Sequence, residues 1–206
     1  MRGAKRNKRD ARTRVLSDGE IRHIWTASLD KGPFGACIRF LLLTATRREE
    51  AVYLRRSELV DPQTWIIPAA RYKTKRDTLI PLSRAARAVI NELPRIGDGD
   101  FVFTNNGRQA IGSISRAKRE LDEASGVGGW VIHDLRRTAR TLLSRAGIDA
   151  DIAERCLGHA LSGVRAVYDR HAFEPEKRRA FEALAAQIER ILNPPSDNVV
   201  TLAEVR

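Results

Sequence analysis

Cysteine is nearly absent from this 206-residue chain: there are two, Cys37 and Cys156, each in an apolar helical context. That makes neither a disulfide framework nor a metal-ligand spacing, and both read as small core residues of a reducing compartment. No apolar run approaches the roughly 20 residues of a membrane span. The basic N-terminus is not followed by an apolar segment, which excludes a secretory signal. No cluster of Asp, Glu and His has ligand spacing, so neither metal nor cofactor is expected. Acid is also in short supply. The 26 Asp plus Glu face 37 Lys plus Arg, a net charge of +11, and such a surplus favours a polyanionic partner, nucleic acid first. The expected location is the cytoplasm, on DNA, with no membrane contact.

At 42% hydrophobic and 31% charged residues, the composition is that of a globular protein with one sizeable core. Residues 1–14 form a basic, apolar-poor tail, expected to be disordered without DNA and read either as solvated or as a phosphate-contacting arm. Ser17 and Glu20 fit a capping box, and Ile21, Ile24, Trp25 and Leu29 follow at helical spacing. Lys31-Gly32-Pro33 breaks that helix. Phe34 to Thr44 predicts a helix buried on most sides, and a short third helix runs from Arg48 to Leu54. The texture then changes: Glu58–Val60, Trp65–Pro68 and Thr78–Pro81 read as short strands of a small antiparallel sheet. Helices resume at Ser83–Leu93 and at about 113–124, 134–146, 149–157, 162–169 and 175–192, with Gly147 ending one and Asp149 capping the next. The expected fold class is mainly α with a small antiparallel β-sheet (α+β). The body spans 15–193, and a tail, 194–206, leaves it after Pro194.

Six polar residues recur through this framework. Arg47 lies in Thr44-Ala45-Thr46-Arg47-Arg48-Glu49-Glu50, where a guanidinium at a helix start suits an anion and Glu50 is placed to hold it. Lys73 sits in a hairpin turn before the strand that ends in Pro81, with Lys75 and Arg76 as rivals for any proton-donating role. His133 and Arg136 share one side of a helix's first turn, where Asp134 stabilises the positive helix end. Leu157-Gly158-His159 closes a helix, and Tyr168 follows nine residues later. Each alone has an ordinary structural reading: a surface arginine, a solvated turn lysine, a helix-opening pair, a glycine cap, a half-buried tyrosine. Their order carries the information.

That order, with T-x-x-R-x-x-E, a lysine before a strand ending in proline, H-x-x-R, L-G-H and a spaced tyrosine, closely resembles the tyrosine recombinase (phage integrase) family from about Val15 to His171. The resemblance implies a catalytic domain that cuts and rejoins double-stranded DNA with neither metal nor ATP. Tyr168 is then the nucleophile that forms a 3′-phosphotyrosine bond. Arg47, Arg136 and His159 hold the phosphoryl oxygens, Lys73 protonates the leaving 5′-oxygen, and His133 assists proton movement at the tyrosine. It also implies self-association on DNA, a tetramer in full-length members, in which residues 198–206 can dock in trans. The stripe Phe181, Leu184, Ile188 and Ile191 can pack in cis or in trans. Two departures stand out. Ala45 replaces a glycine frequent in the family, and only about sixteen residues precede the catalytic fold, where relatives carry a helical core-binding domain. The expectation is an isolated catalytic domain of a mobile-element integrase. The alternative is a catalytically silent DNA-binding fragment of a truncated one.

Overall fold

The computed structural model describes residues 12–73, 75–159 and 173–194. Among them the first helix, α1 (Asp18–Ser28), starts at the expected capping box: Ser17 Oγ accepts from the Glu20 amide, and Glu20 Oε2 accepts from the Ser17 amide at 2.9 Å. The central helix, α2 (Gly32–Thr44), starts two residues earlier than expected because Pro33 is tolerated in a first turn. It is buried from Phe34 to Thr44, as its all-round apolar sequence requires. Gly35 permits its contact with α1, since a Cβ there would stand 1.8 Å from the Ser28 carbonyl oxygen.

A short helix, α3 (Arg48–Val52), leads through a 3-10 turn (Arg56–Glu58) into β1 (Leu59–Asp61), β2 (Thr64–Ile67) and β3 (Thr78–Pro81). These make one antiparallel sheet in the order β1-β2-β3, with Trp65 opposite Ile80 and Ile66 opposite Leu79. The first strand lies one residue later than expected because Glu58 is drawn into the turn. Its carboxylate there accepts from the buried Trp65 Nε1 at 3.1 Å and from Arg71. Trp65 and Ile67 point into the core, where Phe40 meets Trp65 and Phe103 with ring centroids 5.7 and 5.5 Å apart.

Five helices complete the described fold: α4 (Arg84–Asn91), α5 (Ile114–Ser125), α6 (Ile132–Arg145), α7 (Ala150–Cys156) and α8 (Glu174–Leu192). Gly147, at φ +76°, ends α6, and Asp149 caps α7 by accepting from the Asp151 amide at 2.8 Å. The stripe Phe181, Leu184, Ile188 and Ile191 is fully buried in cis, with α8 packed on α1, α2, α4, α6, α7 and β3. Both cysteines are buried and free. Desolvation pushes the Cys156 thiol up to about 12 and the Cys37 thiol higher still. The expected helix at 162–169 and the tail beyond Pro194 fall outside the described residues. Among those residues, no helix is long and apolar enough to cross a membrane.

The segment read as tail departs from expectation at its end. Arg12 Nε donates to both oxygens of the fully buried Asp134, at 3.1 and 2.9 Å, and Arg14 pairs with Glu20. The acid that caps α6 also recruits the approaching chain, which a charge count cannot reveal.

Candidate functional site

Arg47 stands between α2 and α3 because the chain turns sharply there. Ala45, fully buried, takes a left-handed conformation (φ +52°, ψ +20°), which is strained for a residue with a Cβ. Glu50, 5% exposed, then holds Arg47 twice: Oε2 accepts from its amide at 2.8 Å, and Oε1 from its Nη1 at 2.7 Å. Burial opposes the Arg47 charge, but Glu50 and Tyr72 outweigh it and raise the guanidinium above its ordinary value.

Arg136 is fixed more firmly. It is 5% exposed, donates from Nη1 to the Ala45 carbonyl and from Nη2 to the Leu157 carbonyl, both at 2.5 Å, and its Nη2 lies 3.2 Å from His159 Nε2. Burial, and then Arg47, bring its pKa down to about 10, which leaves it charged at neutral pH. One turn earlier, desolvation followed by Arg137 and Arg136 holds His133 below the ordinary histidine value, so its ring is neutral at pH 7. Asp134 accepts from the Val131 amide at 2.9 Å and so starts α6 two residues earlier than expected, which places His133 inside the first turn.

These side chains meet. Arg47, Lys73, His133, Arg136 and His159 line one cleft of about 490 Å³, together with Val15, Arg137, Arg140 and Glu154. Lys73 reaches it, exposed, from the turn between β2 and β3; Lys75 and Arg76 do not line it. Arg47, Lys73 and His133 also line an adjoining hollow of about 530 Å³, with Arg48, Arg71 and Lys118 on its walls. Arg47, Lys73 and Arg136 make the cleft an anion site by charge and donor count. Tyr168 lies outside the described residues.

A family model described as the Phage integrase family matches residues 14–174. The chain belongs to the phage integrase family. It is 33% identical to the prophage integrase IntA of Escherichia coli (strain K12) over 141 residues, 66% of this chain and 34% of that protein. To the integrase of Enterobacteria phage P4 it is 30% identical over 165 residues, 69% of this chain and 37% of that protein. It thus spans about a third of the length of these curated relatives. The solved catalytic core of lambda integrase superposes with a TM-score of 0.60 at 21% identity, over 72% of this chain and 96% of that one. An integrase from mycobacterium phage Brujita gives 0.67 at 19% identity, over 90% and 66%. These structures share the α+β fold expected from the sequence.

In this phage integrase domain two residues of the site escaped sequence reasoning. Tyr72, 4% exposed, lies with its ring 5.6 Å from the Arg47 guanidinium, and its hydroxyl fills the space over Gly158, where a Cβ would stand 1.7 Å from it. Gly158, at φ +65°, therefore serves both as a helix end and as the seat of a tyrosine that ties the Lys73 turn to the His159 turn. The other is Glu154, whose carboxylate lies 2.6 Å from His159 Nδ1 and 2.7 Å from Arg140 Nε. A tyrosine beside Lys73 and a glutamate five residues before His159 were the available signals.

Proposed function

We propose that this chain is the catalytic domain of a site-specific DNA recombinase, an integrase that cleaves and rejoins DNA strands through a 3′-phosphotyrosine intermediate. The observation that carries the reading is the convergence of Arg47, Lys73, His133, Arg136 and His159 on one cleft from distant parts of the chain. A phosphodiester in that cleft meets donors on its non-bridging oxygens, where charge builds during in-line attack.

In the proposed reaction Tyr168 Oη attacks phosphorus. The Oη–P bond forms, the P–O5′ bond breaks, and the leaving oxygen takes a proton from Lys73. Arg47 and Arg136 clamp the non-bridging oxygens, and His159 donates to the same group once its ring is fully protonated. Neutral His133 accepts a proton at the tyrosine. A free phenol, with a pKa near 10, is a poor nucleophile; in the proposed reaction the tyrosine works beside the cleft's cations, which would favour its ionised form. The phosphotyrosine keeps the ester's energy, so a second 5′-hydroxyl can reseal the strand without ATP. Side-chain cations carry the charge in this scheme, and no metal takes part.

Double-stranded DNA is the proposed partner, held mainly through phosphates and with strong salt dependence. Some structures of lambda integrase are described as a dimer on a core site or a tetramer on a Holliday junction; self-association on DNA is proposed here by extension. The test needs no attachment site. Supercoiled plasmid is incubated with the protein in EDTA at low salt and trapped with SDS, beside Tyr168→Phe. Relaxation with a protein–DNA adduct, both lost in the variant, is the expected result. Plasmid binding without either would favour the silent DNA-binding fragment.

A further inference from the structure

We propose that Glu154 is a positioning residue that fixes both the aim and the proton pattern of the His159 ring, an inference that rests on the recombinase reading of the cleft. Two donors converge on its carboxylate: Arg140 Nε lies 2.7 Å from Oε1, and His159 Nδ1 lies 2.6 Å from Oε2. The backbone tightens the link, since the His159 amide donates to the Glu154 carbonyl at 3.0 Å. An ionised carboxylate offers acceptor oxygens and no donor, so Nδ1 must bring the proton. Burial opposes the Glu154 charge, but Arg140 and His159 outweigh it and keep the carboxyl below the usual range, ionised at neutral pH.

The opposite edge of the ring gives the matching constraint. Arg136 Nη2 lies 3.2 Å from Nε2, and a guanidinium only donates. One neutral tautomer therefore satisfies both neighbours, with a proton on Nδ1 and a bare Nε2. The other sets two N–H groups against each other and a lone pair against a carboxylate. A donor at Nε2, as phosphate binding requires, is present only in the doubly protonated ring, whose Nδ1–H still faces the Glu154 carboxylate. Among the described residues, the charged and titratable groups facing the ring are Arg136 and Arg140 of α6, Glu154 of α7, and Arg47, Lys73, His133 and Arg137 in the same cleft. Glutamine is no substitute. It has one acceptor oxygen for two donors, so either Arg140 or Nδ1 faces an amide N–H.

Ring-nitrogen NMR of the full chain with labelled histidine reads the tautomer directly, His159 being assigned by its loss in His159→Asn. The neutral wild-type ring should show protonated Nδ1 and unprotonated Nε2. In Glu154→Gln the pattern should shift towards protonated Nε2. A wild-type ring protonated on Nε2 overturns the proposal without requiring any variant to fold; so does a folded Glu154→Gln with the wild-type pattern. In the plasmid assay, Glu154→Gln should slow adduct formation about ten- to hundredfold, as loss of an orienting partner does elsewhere, with binding retained and partial recovery in Glu154→Asp. An unchanged rate also overturns it. If the wild type forms no adduct, the recombinase reading fails, while the ring-nitrogen pattern still decides the role of Glu154.

Discussion

Arg136 and Lys73 face one cleft under opposite conditions. Arg136 is buried in the first turns of α6 and fixed by the Ala45 and Leu157 carbonyls, whereas Lys73 is exposed on the turn between β2 and β3. The helical side of the cleft holds preorganised charge, and the sheet side supplies a lysine whose position is set by a turn. In the proposed reaction a clamp that must meet developing charge gains from rigidity, and a proton donor needs reach and a suitable protonation state. The same difference predicts that damage on the helical side costs stability as well as rate, and that damage on the turn costs rate alone.

The largest combined effect is expected for Arg136→Ala. Adduct formation should fall about 10²–10³-fold, as for loss of a preorganised donor. Two buried carbonyls also lose their partner, at a cost of about 1–3 kcal/mol each, to be read from urea denaturation. Lys73→Ala should nearly abolish adduct formation yet leave the urea midpoint unchanged, while Lys75→Ala changes neither. A Lys75→Ala loss equal to that of Lys73→Ala would break the assignment of the acid.

His133 sharpens the comparison on a smaller scale. Desolvation and two arginines depress its pKa in the folded state, so the unfolded chain binds a proton there first as pH falls. Stability should therefore drop as pH descends through about 6.5 and level off once the folded ring is also protonated. His133→Gln should flatten that part of the urea-midpoint profile against pH.

The smallest effect concerns Ala45. Its left-handed backbone carries strain of about 1–2 kcal/mol, partly offset on substitution by glycine's greater unfolded freedom. Ala45→Gly should raise stability by about 0.5–1 kcal/mol in thermal or urea unfolding.

These residues also mark what the sequence made legible. Local chemistry was readable: the Ser17–Glu20 capping box, the apolar run of α2, Gly147 with Asp149, and the Arg47–Glu50 pair all depend on neighbours within a turn. Strand and helix ends shifted by one or two residues where a buried acid, Glu58 or Asp134, captured backbone or side-chain donors. The hold of Tyr72 over Gly158, the bridge from Glu154 to Arg140 and the bond from Arg12 to Asp134 were not readable. In each case the tertiary fold supplies at least one partner, and no local period encodes it. The sequence put Lys73 and Lys75 in one turn without separating them; in the fold Lys73 lines the cleft, whereas Lys75 takes a left-handed conformation (φ +56°) and does not.

The central claim is chemical, and the most direct measurement identifies the linked residue. The protein–DNA adduct is trapped, digested with nuclease and protease, and the nucleotide-bearing peptide is sequenced by mass spectrometry. The account predicts a nucleotide joined through its 3′-phosphate to Tyr168. Attachment at Tyr53 or Tyr72, or through a 5′-phosphate, would contradict it.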